Sequence, residues 1–364
     1  MMNKRLYVDF HVLQNVPPSC VNRDDTGAPK TAVYGGATRA RVSSQAWKRA
    51  VRRMFMEQMA AEDVGIRTKY VHELLKNAIA ALNPLANADK LAESALDGAG
   101  IKVKAKEKDA PKATDALFFI SPAQINALAQ LAAAGEKDKK LLAQALNEAP
   151  ALDVALFGRM VAIDSKKYPS LNTDASCQVA HSISTHTVHN EYDYFTAIDD
   201  RSPEDNAGAA HLDTVEFNSS TLYRYATVNA DELHRAMGGD SARAVRAFAE
   251  AFITSMPTGK QNSFANRTLP DFVYVAVRTD QPVNLVGAFE RPVKAGAEGY
   301  MLPSVSALTA YAEKVYTAFA EAPAAAFLVS TADVKENFAK RLPLKAMLDE
   351  LEACTAGRLS HEVM

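Results

Sequence analysis

The chain has 364 residues, 48% of them hydrophobic, enough to bury the core of one large domain or two ordinary ones. No apolar run reaches the ~18 residues that a membrane helix needs, so no membrane partner is expected. The net charge of −2 excludes a uniformly basic nucleic-acid binder, and three widely spaced cysteines (Cys20, Cys177, Cys354) point to a reducing, cytoplasmic setting and away from a disulfide or cysteine-zinc scaffold.

In RLYVDFHVLQ, residues 5–14, Leu6, Val8, Phe10 and Val12 alternate, which predicts a strand rather than the continuous apolar run of a signal peptide. Pro17-Pro18 cannot continue a sheet interior, so NVPPSCVNRDD reads as a loop. Gly35-Gly36 marks a turn, and Arg39 and Arg41 follow at strand period. Ser43 and Ser44 are good helix N-caps. Beyond them Trp47, Ala50, Val51, Met54 and Phe55 recur at helical spacing, one face of a helix running to about Ala61.

Lys48, Arg49, Arg52 and Arg53 take the other face, with like charges one turn apart, which weakens an isolated helix slightly. Together with Lys30, Arg39 and Arg41 they give residues 26–56 seven basic groups and no acid, leaving −9 on the rest of the chain. Free N–H groups at the helix start favour a phosphate. The reading is a polyphosphate chain lying across this helix, and the alternative is a solvated charged face. Each basic side chain on a phosphate releases counterions and gives affinity without sequence preference.

Residues 57–175 are rich in Ala, Leu and Lys and read as a helical insertion, with helices near 67–82 and 86–96. Residues 100–121 predict a hairpin with a Pro-containing turn. Ser121-Pro122 then opens a helix, and residues 136–150 give another. Strand patterns return in QVAHSISTHTVHNEYDYFTAID and EFNSSTLYRYATVN, arms of an excursion at 191–223 around an acidic tip at 199–213. A helix over 241–254, a strand in LPDFVYVAVRTD, a second in PVNLVGAF, a helix over 304–320, a strand in AAAFLVST and a helix over 345–353 complete the chain. Without the insertion this is β–α–β–β–α–β, an α+β fold of ferredoxin-like type.

Candidate chemistry is sparse. Neither GxxxxGK[ST] nor GxGxxG is present, so no nucleotide cofactor is expected. PTGKQ at 257–261 offers Lys260 and Gln261 as phosphate contacts. On a strand His186 points away from both His181 and His189, which favours packing or surface histidines over a metal site. Tyr192, Tyr194 and Phe195 serve either a core or base stacking. Asp24-Asp25, on a loop beside basic residues, could hold Mg²⁺ and cut RNA, or could simply orient Arg23 or Lys30 by ion pairing.

HVLQNVPPSCVNRDDTGAPKTAVYGGATRARVSSQAWKRAVRR resembles the CasC (Cse-type) family, the crRNA-binding backbone subunit of the type I-E CRISPR complex Cascade. The likeness continues through FGRM at 157–160, QVAHSISTHTVHNEYDYFTAIDD, EFNSSTLYRY and PTGKQNSFANR, in family order. It implies a modified RNA-recognition (RRM, ferredoxin-like) palm at 1–56 and 176–364, helical fingers at 57–175 and a β-hairpin thumb at 191–223. It also implies partners: the guide crRNA, further copies of the chain, other Cascade subunits and, through the guide, the target DNA strand. The subunit would bind and kink RNA without cutting it. Ser19, Asn22, Arg23, Ser43, Gln45, Lys48 and Arg49 fall on elements that touch the guide backbone in that family, and Arg159-Met160 and Phe195-Thr196 on those that wedge at the kink.

Overall fold

The computed structural model describes residues 5–107, 110–197, 211–333 and 338–360. Strand β1 (Tyr7–Ser19) leads to β2 (Thr31–Tyr34), β3 (Ala37–Val42) and helix α1 (Ser44–Gln58). Then come β4 (Ile66–Thr68), α2 (Val71–Leu82), α3 (Ala88–Gly98), β5 (Phe118–Ile120), α4 (Pro122–Ala133), α5 (Lys139–Asn147) and α6 (Leu152–Phe157). β6 (Cys177–Val179), β7 (Ser182–Ser184), β8 (Glu191–Ala197) and β9 (His211–Asn229) follow, with α7 (Ala230–Met237), α8 (Ser241–Thr254) and α9 (Gln261–Phe264). β10 (Phe272–Arg278), α10 (Met301–Ala318), β11 (Ala325–Ser330), β12 (Lys340–Arg341) and α11 (Leu344–Ser360) close the chain.

The chain divides into two compact units. The first holds Met1–Val51, Val179–Thr227 and Arg246–Arg358, the second Arg52–Gln178, Val228–Val245 and Leu359–Met364. The sequence boundaries at 56/57 and 175/176 thus fall inside α1 and just ahead of β6, and Val228–Val245 groups with the second unit instead of its flanks. Among the described residues no helix is long and apolar enough to cross a membrane.

The first unit is built on one mixed sheet in the order β12-β11-β10-β1-β9-β7-β3-β2, with β8 also paired to β9. This is the α+β class expected from the alternation of strands and helices, and is consistent with the RRM-like palm that the family resemblance implies. β1 is buried on both faces. On one, Phe10 meets Phe248 and Phe252 of α8 at 5.5 and 6.2 Å between ring centroids. On the other, Leu13 packs with Tyr274, Phe289 and Leu308. Asp9 and His11 are therefore as buried as Val8 and Phe10, which a half-buried alternating strand does not anticipate.

β1 also runs through Pro17-Pro18, where a loop was expected. Its register with β10 ends at Leu13, so the missing N–H groups of these prolines break no bond to that neighbour. Gly35 and Gly36 have φ of 59° and 73°, the two positive values a tight two-residue hairpin turn needs. A Cβ on Gly35 would lie 1.6 Å from the Glu290 carbonyl oxygen, so only glycine fits there. PVNLVGAF is not a strand: the Asn284 side chain accepts the Val286 N–H and starts a short 3₁₀ turn over Leu285–Phe289.

β8 and β9 form a long antiparallel hairpin, in register from Glu191↔Phe217 to Ala197↔His211. Most of the acidic tip, residues 198–210, lies outside the described residues.

The second unit is mainly helical. Leu75, Ile79, Leu96, Leu128, Leu142 and Leu146 share one core. α4 starts at a full capping box between Ser121 and Gln124, with Pro122 in the first turn. The hairpin expected over 100–121 reduces to one bridge, Lys104↔Ala113, and residues 108 and 109 lie outside the described residues. β5 pairs instead with β4, which takes Ile66–Thr68 out of the helix expected from 67. α6, α7 and α9 had no sequence expectation; each is eight residues or fewer, too short for helical periodicity to stand out.

Candidate nucleic-acid interface

α1 confirms its apolar stripe. Trp47, Ala50, Val51, Met54 and Phe55 are all buried, and the Trp47 indole N–H donates to Ser182 Oγ at 2.9 Å. Its opposite face is less uniform than the charge pattern implies. Gln45, Arg49 and Arg53 are exposed, Lys48 is half-buried, and Arg52 is drawn into protein contacts. Arg52 Nε donates to Asp153 Oδ2 at 2.7 Å and Nη2 to the Gly65 carbonyl at 3.1 Å. The Arg52 guanidinium, expected to hold a phosphate, is paired instead with a fully buried carboxylate.

The helix N-terminus is also occupied. Ser43 is its cap and accepts the Ala46 N–H on Oγ at 3.3 Å. The Ser44 N–H goes to His181 Nδ1 at 3.3 Å, and the Trp47 N–H to the Ser43 carbonyl. The expected row of free N–H groups is thus largely satisfied within the protein.

Arg39 is the clearest correction. It is fully buried, with Nη1 on the Ser184 carbonyl at 2.9 Å and Nη2 on the Phe289 carbonyl at 2.8 Å. It ties β3 to the segment before α10 and presents nothing to solvent. Arg41, two residues on, is half-buried, with Nε on the Thr31 carbonyl at 3.2 Å and Nη1 on His181 Nδ1 at 3.3 Å. The histidines divide between packing and surface positions. His186 stacks on Tyr300 at 3.7 Å between centroids and His189 is exposed.

A loop cluster in the first unit gathers the rest. Asn22 Oδ1 accepts the Ser43 N–H at 2.9 Å, and its carbonyl accepts the Lys30 N–H at 2.8 Å. Ser19 is buried, with Oγ on the Pro17 carbonyl at 2.9 Å. Ser19, Asn22, Lys30 and Arg41 line one narrow crevice with Asn218 and Ser220 of β9. The sequence reading missed Asn218 and Ser220; their alternate spacing on a strand was the available signal.

Arg23 is exposed on the loop, and Asp24 is committed to building it. Asp24 Oδ1 accepts from Thr26 Oγ1 at 2.7 Å, Thr26 N at 2.9 Å and Ala28 N at 3.1 Å, bonds that hold its carboxyl below the usual range. Asp25 is exposed. The ion pair of Asp24 with Arg23 or Lys30 is not seen; loop N–H groups replace it.

The 257–264 loop packs on this cluster through glycine. A Cβ on Gly259 would lie 2.1 Å from the Val21 carbonyl oxygen. That approach carries Lys260, in left-handed backbone with φ of 44°, to where its charge and that of Arg23 both act on the Cys20 thiol. Burial nonetheless pushes that thiol up. Gln261, half-buried, opens α9, whose Phe264 contacts Phe217 at the root of the hairpin, 5.8 Å between centroids.

On β8, Thr196 is exposed and Phe195 is 38% exposed, against 68% and 64% for Tyr192 and Tyr194. In the second unit the last two residues of FGRM differ in exposure. Arg159 is buried, donating to the carbonyls of Leu171, Phe119 and Leu146 at 2.9, 3.1 and 2.7 Å, and burial pushes its pKa down to about 10. It cannot wedge against RNA as expected. Its neighbour Met160 is 88% exposed.

Comparisons with known proteins support a backbone protein of the CasC type. A chain of a "CRISPR RNA-guided surveillance complex, pre-nicking" matches with a TM-score of 0.79 and 31% identity, over 96% of this chain and 100% of that one. A chain of a "CRISPR RNA-guided surveillance complex" matches with a TM-score of 0.61 and 29% identity, over 94% and 99%. A search of curated proteins gives no match. The chain belongs to the CT1975-like protein family, whose sequence profile matches residues 8–354.

Proposed function

We propose that this chain is the guide-binding backbone subunit of a type I-E CRISPR surveillance complex in the cytoplasm. Copies stack along one crRNA, hold its phosphate backbone, kink it at regular intervals and present it for pairing with target DNA in antiviral defence. The observation that carries the reading is the match, end to end and at 31% identity, to a chain of an RNA-guided surveillance complex. Arg23, Lys30, Arg41, Gln45, Arg49 and Lys260 offer the phosphate contacts, and Met160 and the β8–β9 hairpin the wedges.

The subunit is not an enzyme in this reading, since Asp24 is spent on its own loop. Purified protein should carry RNA, seen as a raised 260/280 absorbance ratio, and protect it from ribonuclease at regular intervals. RNA-free protein, or uniform protection, would sink the reading. Mg²⁺- or Mn²⁺-dependent cutting of a labelled RNA that is lost in Asp24→Asn or Asp25→Asn would make it a metal-dependent RNase instead.

A further inference from the structure

His181 stands where a single lone pair meets two groups of the interface. Its Nδ1 accepts the Ser44 N–H, in the first turn of α1, and Arg41 Nη1, each at 3.3 Å. Accepting both requires an unprotonated Nδ1, so the ring is the neutral Nε2–H tautomer. We propose that His181 is a positioning residue for guide binding: its neutral Nδ1 fixes Arg41 against the N-terminus of α1 and so sets the phosphate-facing geometry of the crevice. The inference rests on the guide-binding reading above.

The surroundings support a role that depends on protonation. His181 is exposed on the link between β6 and β7, within reach of solvent protons. Arg41 on β3 is the charged group facing the ring, α1 presents the Ser44 amide and carries Lys48 one turn on, and β9 holds the adjacent Ala180 N–H on the Tyr225 carbonyl. Burial, then the Arg41 charge, hold the imidazole below its ordinary pKa. A proton on Nδ1 would turn the shared acceptor into a donor. It would break both bonds at once and set an imidazolium against a guanidinium. Arg41 would then keep only its Nε bond to the Thr31 carbonyl and could swing.

Asparagine places an amide oxygen close to the position of Nδ1 and does not titrate, so it separates the acceptor from the proton. Affinity for one fluorescent single-stranded RNA is measured at pH 8 and pH 5.5 for the wild type, His181→Ala and His181→Asn. At pH 8 His181→Ala should bind roughly fivefold more weakly, the factor for about one hydrogen bond's worth of orientation. His181→Asn should restore most of that loss and be less weakened than the wild type on acidification. An alanine variant with wild-type affinity, an asparagine variant no better than alanine, or equal acid responses in wild type and His181→Asn would each overturn the proposal. In parallel, the Ser44 amide resonance should titrate with the His181 ring in the RNA-free protein. Its failure to do so removes the hydrogen bond itself, whereas no RNA binding by any form, with that titration intact, removes the guide-binding reading.

Discussion

Arg52 and Asp153, 101 residues apart, meet at 2.7 Å in an ion pair whose carboxylate is fully buried. The second oxygen of Asp153 accepts the Gly65 N–H at 2.8 Å, and the Arg52 guanidinium lies 4.5 Å from the centre of the Phe119 ring. One basic residue of α1 thus serves the interior of the second unit. Burial pushes the Asp153 carboxyl up, Arg52 opposing it, so the acid depends on its partner to stay charged. Arg52→Ala should cost about 3–5 kcal/mol, the range for leaving a buried charge unpaired. Urea denaturation measures it, and a loss under about 1 kcal/mol, typical of exposed pairs, would return Arg52 to the surface.

Arg23 and Arg49 are the exposed guanidinium groups on the loop cluster and on α1 within the first unit. For single strands the slope of log K against log salt becomes shallower by about 0.7 for each phosphate left without its cation. Arg23→Ala with Arg49→Ala should therefore flatten it by about 1.4, and equally for two unrelated RNA sequences. Arg39→Ala should act on the melting temperature, since its guanidinium is spent on buried carbonyls. An unchanged slope in the double variant would make this surface a solvated face.

Arg159 and Met160 are neighbours with opposite expected phenotypes. Arg159→Ala leaves several buried carbonyls without donors and should cost more than about 3 kcal/mol, at about 1–3 for each such group. Met160→Ala removes an exposed side chain and should leave the melting temperature within about 1 °C, since surface changes fall within about 0.5 kcal/mol. It should blur the periodic protection of bound RNA from ribonuclease. Unchanged protection would end the wedge role of Met160.

Two buried groups on β1 make the palm's pH response a compensated one. Burial, then the Arg278 charge, push His11 down to about 3. Burial pushes Asp9 up to about 6, against hydrogen bonds from the Val283 N–H and Tyr225 hydroxyl. As pH falls below 6.5, unfolded histidine takes a proton that folded His11 refuses, so stability falls. As pH falls through 6 towards 3.8, folded Asp9 takes a proton before the unfolded chain does, so stability rises. Between these limits the two slopes cancel. Asp9→Asn should expose a loss of about 1.4 kcal/mol per pH unit on acidification, and His11→Gln a gain of similar size. Urea midpoints at pH 4.5, 5.2 and 6 read both slopes, and parallel profiles in the two variants would rule out the compensation.

The parts legible in the sequence are those that local periodicity sets. The stripe from Trp47 to Phe55 dictates α1, because burying one helix face needs only that spacing. Ser43 as cap, Gly35-Gly36 as turn and Ser121-Pro122 as helix start follow from backbone chemistry a few residues wide. The concentration of basic residues in 26–56, and the family to which the chain belongs, were likewise readable in one dimension.

Tertiary structure alone decided what each charge is for. Arg39 and Arg41 share a strand and a spacing, yet one is buried on the carbonyls of Ser184 and Phe289 and the other shares the lone pair of His181. Those partners lie 145, 250 and 140 residues away, and no local pattern encodes them. The same holds for Arg52 on Asp153 and for the burial of β1 on both faces. A guanidinium is chemically the same whether it meets water, a phosphate or a buried carboxylate. Which of these it meets is set by which distant backbone folds against it, because desolvating the charge is tolerated only where those acceptors are already in place.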